Sequence, residues 1–141
     1  MKFYEEVDFL PKLPEYFNWT LEEIETLDNG FPYEDFAHTF ACYNAPKELH
    51  DFYQPYFDFD INVGYQVIKK KVPVHKDIGI EEKKWNYILT TGGTNVATRW
   101  WDYGEIINSV VIKENVWHSL LVNVPHDITA VDSPRIAISI F

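Results

Sequence analysis

Short β-type segments separated by turn residues fill the sequence from Gly64 to Phe141. Eight segments can be recognised, at 66–72, 74–77, 85–90, 96–101, 106–112, 117–122, 126–131 and 135–141. Short strands at regular intervals, with Gly, Pro or polar turns between them, are typical of antiparallel sandwiches and barrels. A small sheet must also protect its edge strands, and a jelly roll does so by folding into two sheets. The sequence therefore predicts an all-β core with a jelly-roll architecture.

Residues 1–63 have a different pattern, which predicts helices and loops that support the β core of residues 64–141. Thr20 and Glu23 have the spacing of a capping box, which opens a short helix ending near Gly30. A second helix is expected to begin near Pro46 and to end at Pro55. With 141 residues and no linker, the whole chain is expected to form a single domain.

The last strand has two chemically different faces. Successive side chains of a strand point to opposite faces, so Ile136, Ile138 and Ile140 share one face. Arg135, Ala137 and Ser139 share the other. A strand buried between two layers is usually apolar on both faces. Small residues beside an arginine leave space there, so this face is expected to line a ligand site.

His75 and Asp77 are separated by one residue, and strand alternation directs both side chains to the same face. Two imidazoles and one carboxylate are the set that holds non-haem Fe(II) with open coordination positions. Taken alone, a histidine near an aspartate is more often an ordinary surface or core pair. This pair supplies one imidazole and one carboxylate, so an Fe(II) site would need a second histidine from elsewhere in the chain.

Two histidines, His118 and His126, are candidates for the third ligand. His126 is preferred because it follows Pro125 at the start of a segment and precedes Arg135 by one strand and a turn. This spacing predicts that His126 and Arg135 lie on adjacent strands. Arg135 offers a permanently charged, bidentate anchor for a carboxylate. His118 is expected to lie at the edge of the core, or to contact the metal ligands without binding the metal itself.

Three stretches carry a resemblance to a known family: Val-Pro-Val-His-Lys-Asp at 72–77, Val-Asn-Val-Pro-His-Asp-Ile at 122–128, and Pro-Arg-Ile-Ala-Ile-Ser-Ile at 134–140. In their order and spacing they resemble the iron(II)/2-oxoglutarate-dependent oxygenases, particularly the small prolyl- or aspartyl-hydroxylase-like members. The resemblance covers roughly residues 64–141, and it implies a double-stranded β-helix, which is a jelly roll.

The resemblance also implies a site and a reaction. His75, Asp77 and His126 would bind Fe(II), and Arg135 would pair with the distal carboxylate of 2-oxoglutarate, the cosubstrate. With O2, the enzyme would release succinate and CO2 and hydroxylate a substrate. Fe(II), one carboxylate and one guanidinium together carry two positive charges. A bound dianion of 2-oxoglutarate would bring the net charge of the site close to zero, which makes burial of the site tolerable.

The sequence departs from the family pattern at Ala137, where many relatives have a serine or threonine that helps to hold the carboxylate. Tyr87, Thr90 and Asn86 are the candidates to supply another polar contact to 2-oxoglutarate. Tyr87 and Thr90 lie on opposite faces by parity, so at most one of them is expected to point inward. The Trp100-Trp101-Asp102-Tyr103 cluster fits a substrate mouth and core packing equally well.

Composition limits the partners. The formal net charge of −10 argues against nucleic acid, because phosphate binding normally requires a basic face. The basic run at 69–71 is interpreted as a solvated strand end. No apolar stretch is long enough to span a membrane, and the N-terminus lacks the pattern of a signal peptide. With Cys42 as the single cysteine, these features favour a cytoplasmic protein. The substrate, a small molecule or a peptide, and the oligomeric state are left open.

Two other functions are compatible with the same residues. A jelly-roll protein could hold a metal or small ligand without turnover, and Ala137 gives that hypothesis some support. A cupin-like metal enzyme is the second alternative. That class tends to place more histidines on the metal and has no need for Arg135.

Overall fold

The computed structural model describes residues 2–31, 40–77 and 82–141, with the side chain of Phe31 left out. Within these residues there are two α-helices, α1 (Leu21–Ile24) and α2 (Lys47–Tyr53), and 3-10 turns at Glu15–Phe17 and Gln54–Tyr56. The strands are β1 (Tyr4–Glu6), β2 (Asn29–Phe31), β3 (Phe40–Asn44), β4 (Val63–Ile68), β5 (Val72–His75), β6 (Lys83–Thr90), β7 (Thr98–Asp102), β8 (Glu105–Val110), β9 (Trp117–Leu121), β10 (His126–Ile128) and β11 (Arg135–Ile140).

The strands form two antiparallel sheets. The larger has the order β1-β9-β6-β11-β4-β3-β2, and the smaller has the order β5-β10-β7-β8. From β4 onward the chain crosses repeatedly between the sheets, so sequential strands are often not neighbours. This is the topology of a double-stranded β-helix, and the predicted jelly roll is confirmed. Each of the eight predicted segments overlaps one strand from β4 to β11.

The larger sheet is buried on both faces, by different groups. Its outer face packs Ile136, Ile138 and Ile140 with residues such as Tyr65 and Trp117 in one hydrophobic cluster. Its inner face, toward the smaller sheet, contributes to a second cluster: Ile88, Trp100, Ile112, Leu120, Val122 and Ala137. The predicted separation of isoleucines from Ala137 along β11 is therefore confirmed.

The expectation of helices and loops alone over residues 1–63 is corrected by β1, β2 and β3, which belong to the larger sheet. β1 and β2 are only three residues long, and both are edge strands held by backbone pairing that a sequence pattern does not reveal. The capping box is confirmed, because Thr20 Oγ1 accepts from the Glu23 N–H and Glu23 accepts from the Thr20 N–H. α2 also begins after Pro46 as predicted.

The first two predicted segments are displaced toward the N-terminus in the structure. β4 ends at Ile68 and β5 begins at Val72, so the three exposed lysines at 69–71 form the connection between them. His75 is consequently the last residue of β5, and Asp77 lies just beyond the strand. The Asp77 N–H donates to the Val122 carbonyl at 3.0 Å, which fixes the backbone there. Among the described residues, no helix is both long and apolar enough to cross a membrane.

The outer cluster is expected to supply most of the stability. Ile138 is fully buried in it, so Ile138→Ala should lower the free energy of unfolding by about 2–5 kcal/mol through lost burial and a residual cavity. Ile107→Ala is the matched control, since that isoleucine is 46% exposed on β8 and should change stability by only about 0.5 kcal/mol. Urea denaturation of both variants measures the difference. Equal losses would contradict the assignment of the core.

Candidate metal centre

Three side chains converge beside the end of β5. His126 on β10 is the cross-strand partner of His75 on β5, and their ring centroids are 4.4 Å apart. Asp77 Oδ1 lies 3.1 Å from His75 Nε2 and 3.2 Å from His126 Nε2. One ligand atom from each residue lies within 4.8 Å of the others. The predicted triad therefore meets in space, and the geometry suits a single divalent ion.

Backbone carbonyls orient both imidazoles. His75 Nδ1 lies 2.8 Å from the Pro73 carbonyl oxygen, and His126 Nδ1 lies 2.7 Å from the Val124 carbonyl oxygen. Because a carbonyl can only accept, each Nδ1 carries a proton, and each Nε2 is directed toward Asp77. Metal-binding histidines are usually held by such a contact on the second ring nitrogen, which fixes the tautomer and the ring plane.

Asp77 is held in its ionised form. Burial alone would raise its pKa, but hydrogen bonds from His126 and His75 and the nearby Lys84 charge outweigh that effect. The pKa of Asp77 is therefore well below its usual range. Lys84 Nζ lies 3.4 Å from Asp77 Oδ2, and its side chain is mostly buried. Lys84 was not predicted from the sequence as a site residue, although its parity with Asn86 along β6 places it on the inner face.

Arg135 lies on the inner face of the larger sheet, at the start of β11. β11 pairs with β4 and β6, whereas β10 pairs with β5 and β7. The expectation that His126 and Arg135 occupy adjacent strands is therefore wrong: the two residues lie in opposite sheets. Both still point inward, since His126 is the cross-strand partner of Trp100 and Arg135 shares the parity of Ala137.

Arg135 is a deeply buried, charged residue. The residue is 4% exposed, and its Nη1 has no hydrogen-bond partner in the part of the chain that the structure describes. Burial lowers the pKa of Arg135 to about 10, so the guanidinium is charged at neutral pH. A buried donor of a charged group that lacks a partner is costly, and a carboxylate would supply an acceptor for Nη1.

A glycine turn sets the position of Arg135. Gly92 has φ +81°, and its carbonyl accepts hydrogen bonds from the Asp132 and Ser133 N–H groups at 2.7 and 3.1 Å. A Cβ at residue 92 would lie 2.5 Å from the Ser133 carbonyl oxygen and 3.2 Å from Arg135 Cβ. Only glycine fits this close approach, which docks the β10–β11 connection against the β6–β7 turn.

The three residues proposed from sequence to assist Arg135 have different positions. Asn86 lies on the inner face, where its Oδ1 accepts a hydrogen bond from Ser139 Oγ at 2.8 Å. Tyr87 lies on the outer face, packed against Trp117 in the hydrophobic cluster. Thr90 is half-buried and pairs with Ile136 next to a bulge. The structure thus brings Asn86 to the same interior as Arg135 and places Tyr87 on the other side of the sheet.

Three aromatic residues of the Trp100–Tyr103 cluster lie in three different environments. Trp100 is fully buried, and its Nε1 donates to the Leu121 carbonyl at 2.9 Å, which joins the two sheets. Trp101 lies on the outer face of the smaller sheet beneath the Arg99 guanidinium, which is 5.2 Å from the ring centroid. Arg99 also forms a two-point pair with Asp127. Tyr103 is almost completely exposed. Trp100 is therefore a core residue.

A cavity of about 680 Å³ opens at the edge of the larger sheet, beside β3 and β4. It is lined by backbone and side chains of both polarities, including Cys42, Asn44, His50, Asn62 and Gly64. Burial raises the pKa of the Cys42 thiol, while the positive charge of Lys84 opposes that shift. The charge of Lys84 therefore acts on Cys42 in the cavity wall as well as on Asp77 of the triad.

No protein-family model and no curated protein matches this chain. Its fold is similar to an oxidoreductase of the 2OG-Fe(II) oxygenase family from Burkholderia pseudomallei, with 12% identity and a TM-score of 0.56 over 92% of this chain and 82% of that one. It is also similar to a prolyl-4-hydroxylase from Pseudomonas putida, with 15% identity and a TM-score of 0.46 over 67% of this chain and 56% of that one. A third similar structure is hazelnut vicilin from Corylus avellana, with 14% identity and a TM-score of 0.47 over 72% of this chain and 28% of that one. The chain spans less than two thirds of these last two proteins. At 12% identity, the first of these similarities supports the jelly-roll fold and shows no particular family.

Removal of one triad member should abolish tight metal binding. Loss of a group that only orients a metal ligand weakens metal binding by about 10–100-fold. Asp77→Ala removes a ligand itself, so it should weaken metal binding by more than about 100-fold. Calorimetric titration with Mn(II) measures the change. His118→Phe is the control and should retain the metal, since His118 lies in the larger sheet outside the triad. If His118→Phe lost the metal while His126→Ala kept it, the choice of third ligand would be wrong.

Proposed function

We propose that this protein is an Fe(II)- and 2-oxoglutarate-dependent dioxygenase that hydroxylates a small molecule or a peptide. The observation that carries the proposal is the convergence of His75, Asp77 and His126, together with an inward-facing Arg135 whose Nη1 lacks a partner among the described residues. Two neutral imidazoles and a carboxylate suit Fe(II) while leaving coordination positions open. The buried guanidinium suits the far carboxylate of a diacid.

Fe(II) bound by this triad would supply the oxygen-activating redox chemistry, with 2-oxoglutarate as the two-electron donor that leaves as succinate and CO2. The residues of the chain have simpler tasks. His75 and His126, oriented by backbone carbonyls, would offer Nε2 lone pairs to the ion, and Asp77 would supply an ionised oxygen. Arg135 would hold the cosubstrate by its distal carboxylate, and the two sheets would keep bulk water from the interior.

Charge balance supports a dianionic cosubstrate. A divalent ion, Asp77 and Arg135 together carry two positive charges, and the two carboxylates of 2-oxoglutarate would neutralise them. Lys84 adds a further positive charge beside Asp77. A buried site with excess positive charge favours an anionic ligand, because burial of uncompensated charge is costly.

The substrate would enter through the cavity beside β3 and β4. The charge of Lys84 acts both on Cys42 in the cavity wall and on Asp77 of the triad, and the cavity volume of about 680 Å³ is within the range of small-molecule sites. Asn44 and Asn62 offer amide donors and acceptors at its wall, which would suit a polar substrate such as an amino acid or a peptide side chain.

Loss of the guanidinium should separate cosubstrate binding from metal binding. Arg135→Ala should weaken 2-oxoglutarate binding by at least about thirtyfold, because it removes one partner of a buried charge pair. Mn(II) affinity should remain near that of the wild type. Arg99→Ala is the matched control, since Arg99 pairs with Asp127 on the outer face of the smaller sheet. Calorimetry under anaerobic conditions, with succinate release as a second measurement, tests the assignment.

A ligand-binding jelly roll without turnover is the second candidate, and it is favoured by Ala137, which leaves Arg135 without the usual neighbouring hydroxyl. The two candidates differ in one measurement. If the wild type binds Fe(II) and 2-oxoglutarate but releases no succinate with O2 and a panel of amino acids and peptides, the binding function is the better description. If 2-oxoglutarate does not bind at all, the dioxygenase proposal fails.

A further inference from the structure

The two carboxylate oxygens of Asp77 face different groups. Oδ1 lies 3.1 Å from His75 Nε2 and 3.2 Å from His126 Nε2. Oδ2 lies 3.4 Å from Lys84 Nζ, on a side chain that is not part of the metal triad. One oxygen is therefore directed toward the two imidazoles, where an ion would bind, and the other oxygen is directed toward an ammonium group.

Backbone hydrogen bonds hold the segments that carry Asp77 and Lys84 side by side. The Asp77 N–H donates to the Val122 carbonyl at 3.0 Å, and the Val122 N–H donates to the Glu82 carbonyl at 2.8 Å. Val122 thus joins the end of β5 to the start of β6. Lys84 is the cross-strand partner of Leu120 and shares its inward direction. Because both segments are bonded to the same residue, the fold itself sets the ammonium beside the carboxylate.

The ion pair between Lys84 and Asp77 is mostly buried. The side chain of Lys84 is 13% exposed and that of Asp77 is 11% exposed. Salt screens such a pair much less than a surface pair, and separation of the two partners is costly. An ion on Oδ2 would take the carboxylate oxygen from the ammonium and place a divalent cation next to it. Both effects oppose metal binding through Oδ2.

The number of oxygens that a carboxylate offers decides what else the ion can bind. A carboxylate that binds through both oxygens occupies one more coordination position than a carboxylate that binds through one. Two imidazoles and one carboxylate suit Fe(II) chemistry because they leave positions open. A carboxylate that is free to rotate could close one of these positions. Carboxylates that bind a metal are usually held by further groups of the protein, and Lys84 has the position of such a group here.

We propose that Lys84 is a positioning residue that keeps Oδ2 of Asp77 away from the metal, so that Asp77 binds the ion through Oδ1 alone. One further coordination position then stays open for the ligands of the reaction. The inference rests on the proposed function for the identity of those ligands. The coordination through one oxygen is a property of the metal-loaded protein, and it can be measured without cosubstrate or turnover.

Carboxylate vibrations test this geometry. In protein labelled with 13C-aspartate, the infrared difference between the metal-free and the Mn(II)-loaded forms isolates the carboxylate that binds the ion. The antisymmetric and symmetric stretches are widely separated when one oxygen binds, and they lie closer together when both bind. The separation should be wide in the wild type, narrow in Lys84→Met, and wide again in Lys84→Arg, which retains the charge. Lys83→Met is the matched control and should keep the wide separation, since Lys83 is exposed and points to the other face of β6.

A second measurement counts the water molecules on the ion. Electron paramagnetic resonance of the Mn(II)-loaded protein in 17O-labelled water should find one coordinated water fewer in Lys84→Met than in the wild type. Lys84→Arg should have the same number as the wild type. A lysine that only supports the fold would change stability or metal affinity and leave this number unchanged.

A narrow separation of the stretches in the wild type would overturn the inference, and this outcome does not depend on the folding of any variant. An equal separation and an equal water count in the wild type and Lys84→Met would also overturn it, while leaving the dioxygenase proposal intact. If the wild type bound no Mn(II), both proposals would fail. If it bound Mn(II) through one oxygen of Asp77 but did not bind 2-oxoglutarate, the dioxygenase proposal would fail and the role of Lys84 would stand.

Discussion

The antiparallel register between β5 and β10 is the constraint on which the site depends. It sets His75 directly opposite His126, and it brings both rings to the one carboxylate that follows β5. Because side chains alternate along a strand, a slip of one residue would turn one imidazole to the outside of the smaller sheet. The carbonyls of Pro73 and Val124 belong to the same two chain segments, so the register fixes ring orientation as well as position.

The two faces of the larger sheet differ: the outer face contributes most of the apolar burial, and the inner face carries the buried polar residues. Its outer face buries isoleucine, tyrosine and tryptophan side chains against the N-terminal elements, and this apolar burial is the main favourable term in folding. Its inner face can therefore contain groups that a purely structural core would exclude, such as Arg135, His118, Asn86 and Ser139. The three strands contributed by residues before 63 extend this sheet and help to cover it.

The features predicted correctly from sequence are those that depend on local spacing. The two faces of β11 follow from its alternation, and the capping box of α1 follows from Thr20 and Glu23. The side chains of His75 and Asp77 converge as expected, although Asp77 lies just beyond the strand. Sheet membership depends on pairing between distant segments, which local spacing does not encode. That is why β1 to β3 were missed and why His126 and Arg135 were expected on adjacent strands. Lys84 could have been found by following the parity of β6 back from Asn86.

The interior and the whole chain have opposite electrostatic character. The sequence carries a net charge of −10, yet in the described interior Arg135 and Lys84 stand against the single carboxylate of Asp77. At physiological ionic strength, exposed charges are screened beyond about 8 Å, so the acidic exterior would repel an anionic cosubstrate only weakly. Inside, where screening by salt is much weaker, the two buried cations act at short range. For the proposed cosubstrate, selection of a dianion would therefore occur within the barrel, at the Arg135 guanidinium, because a carboxylate there would be close to a buried positive charge that salt does not screen.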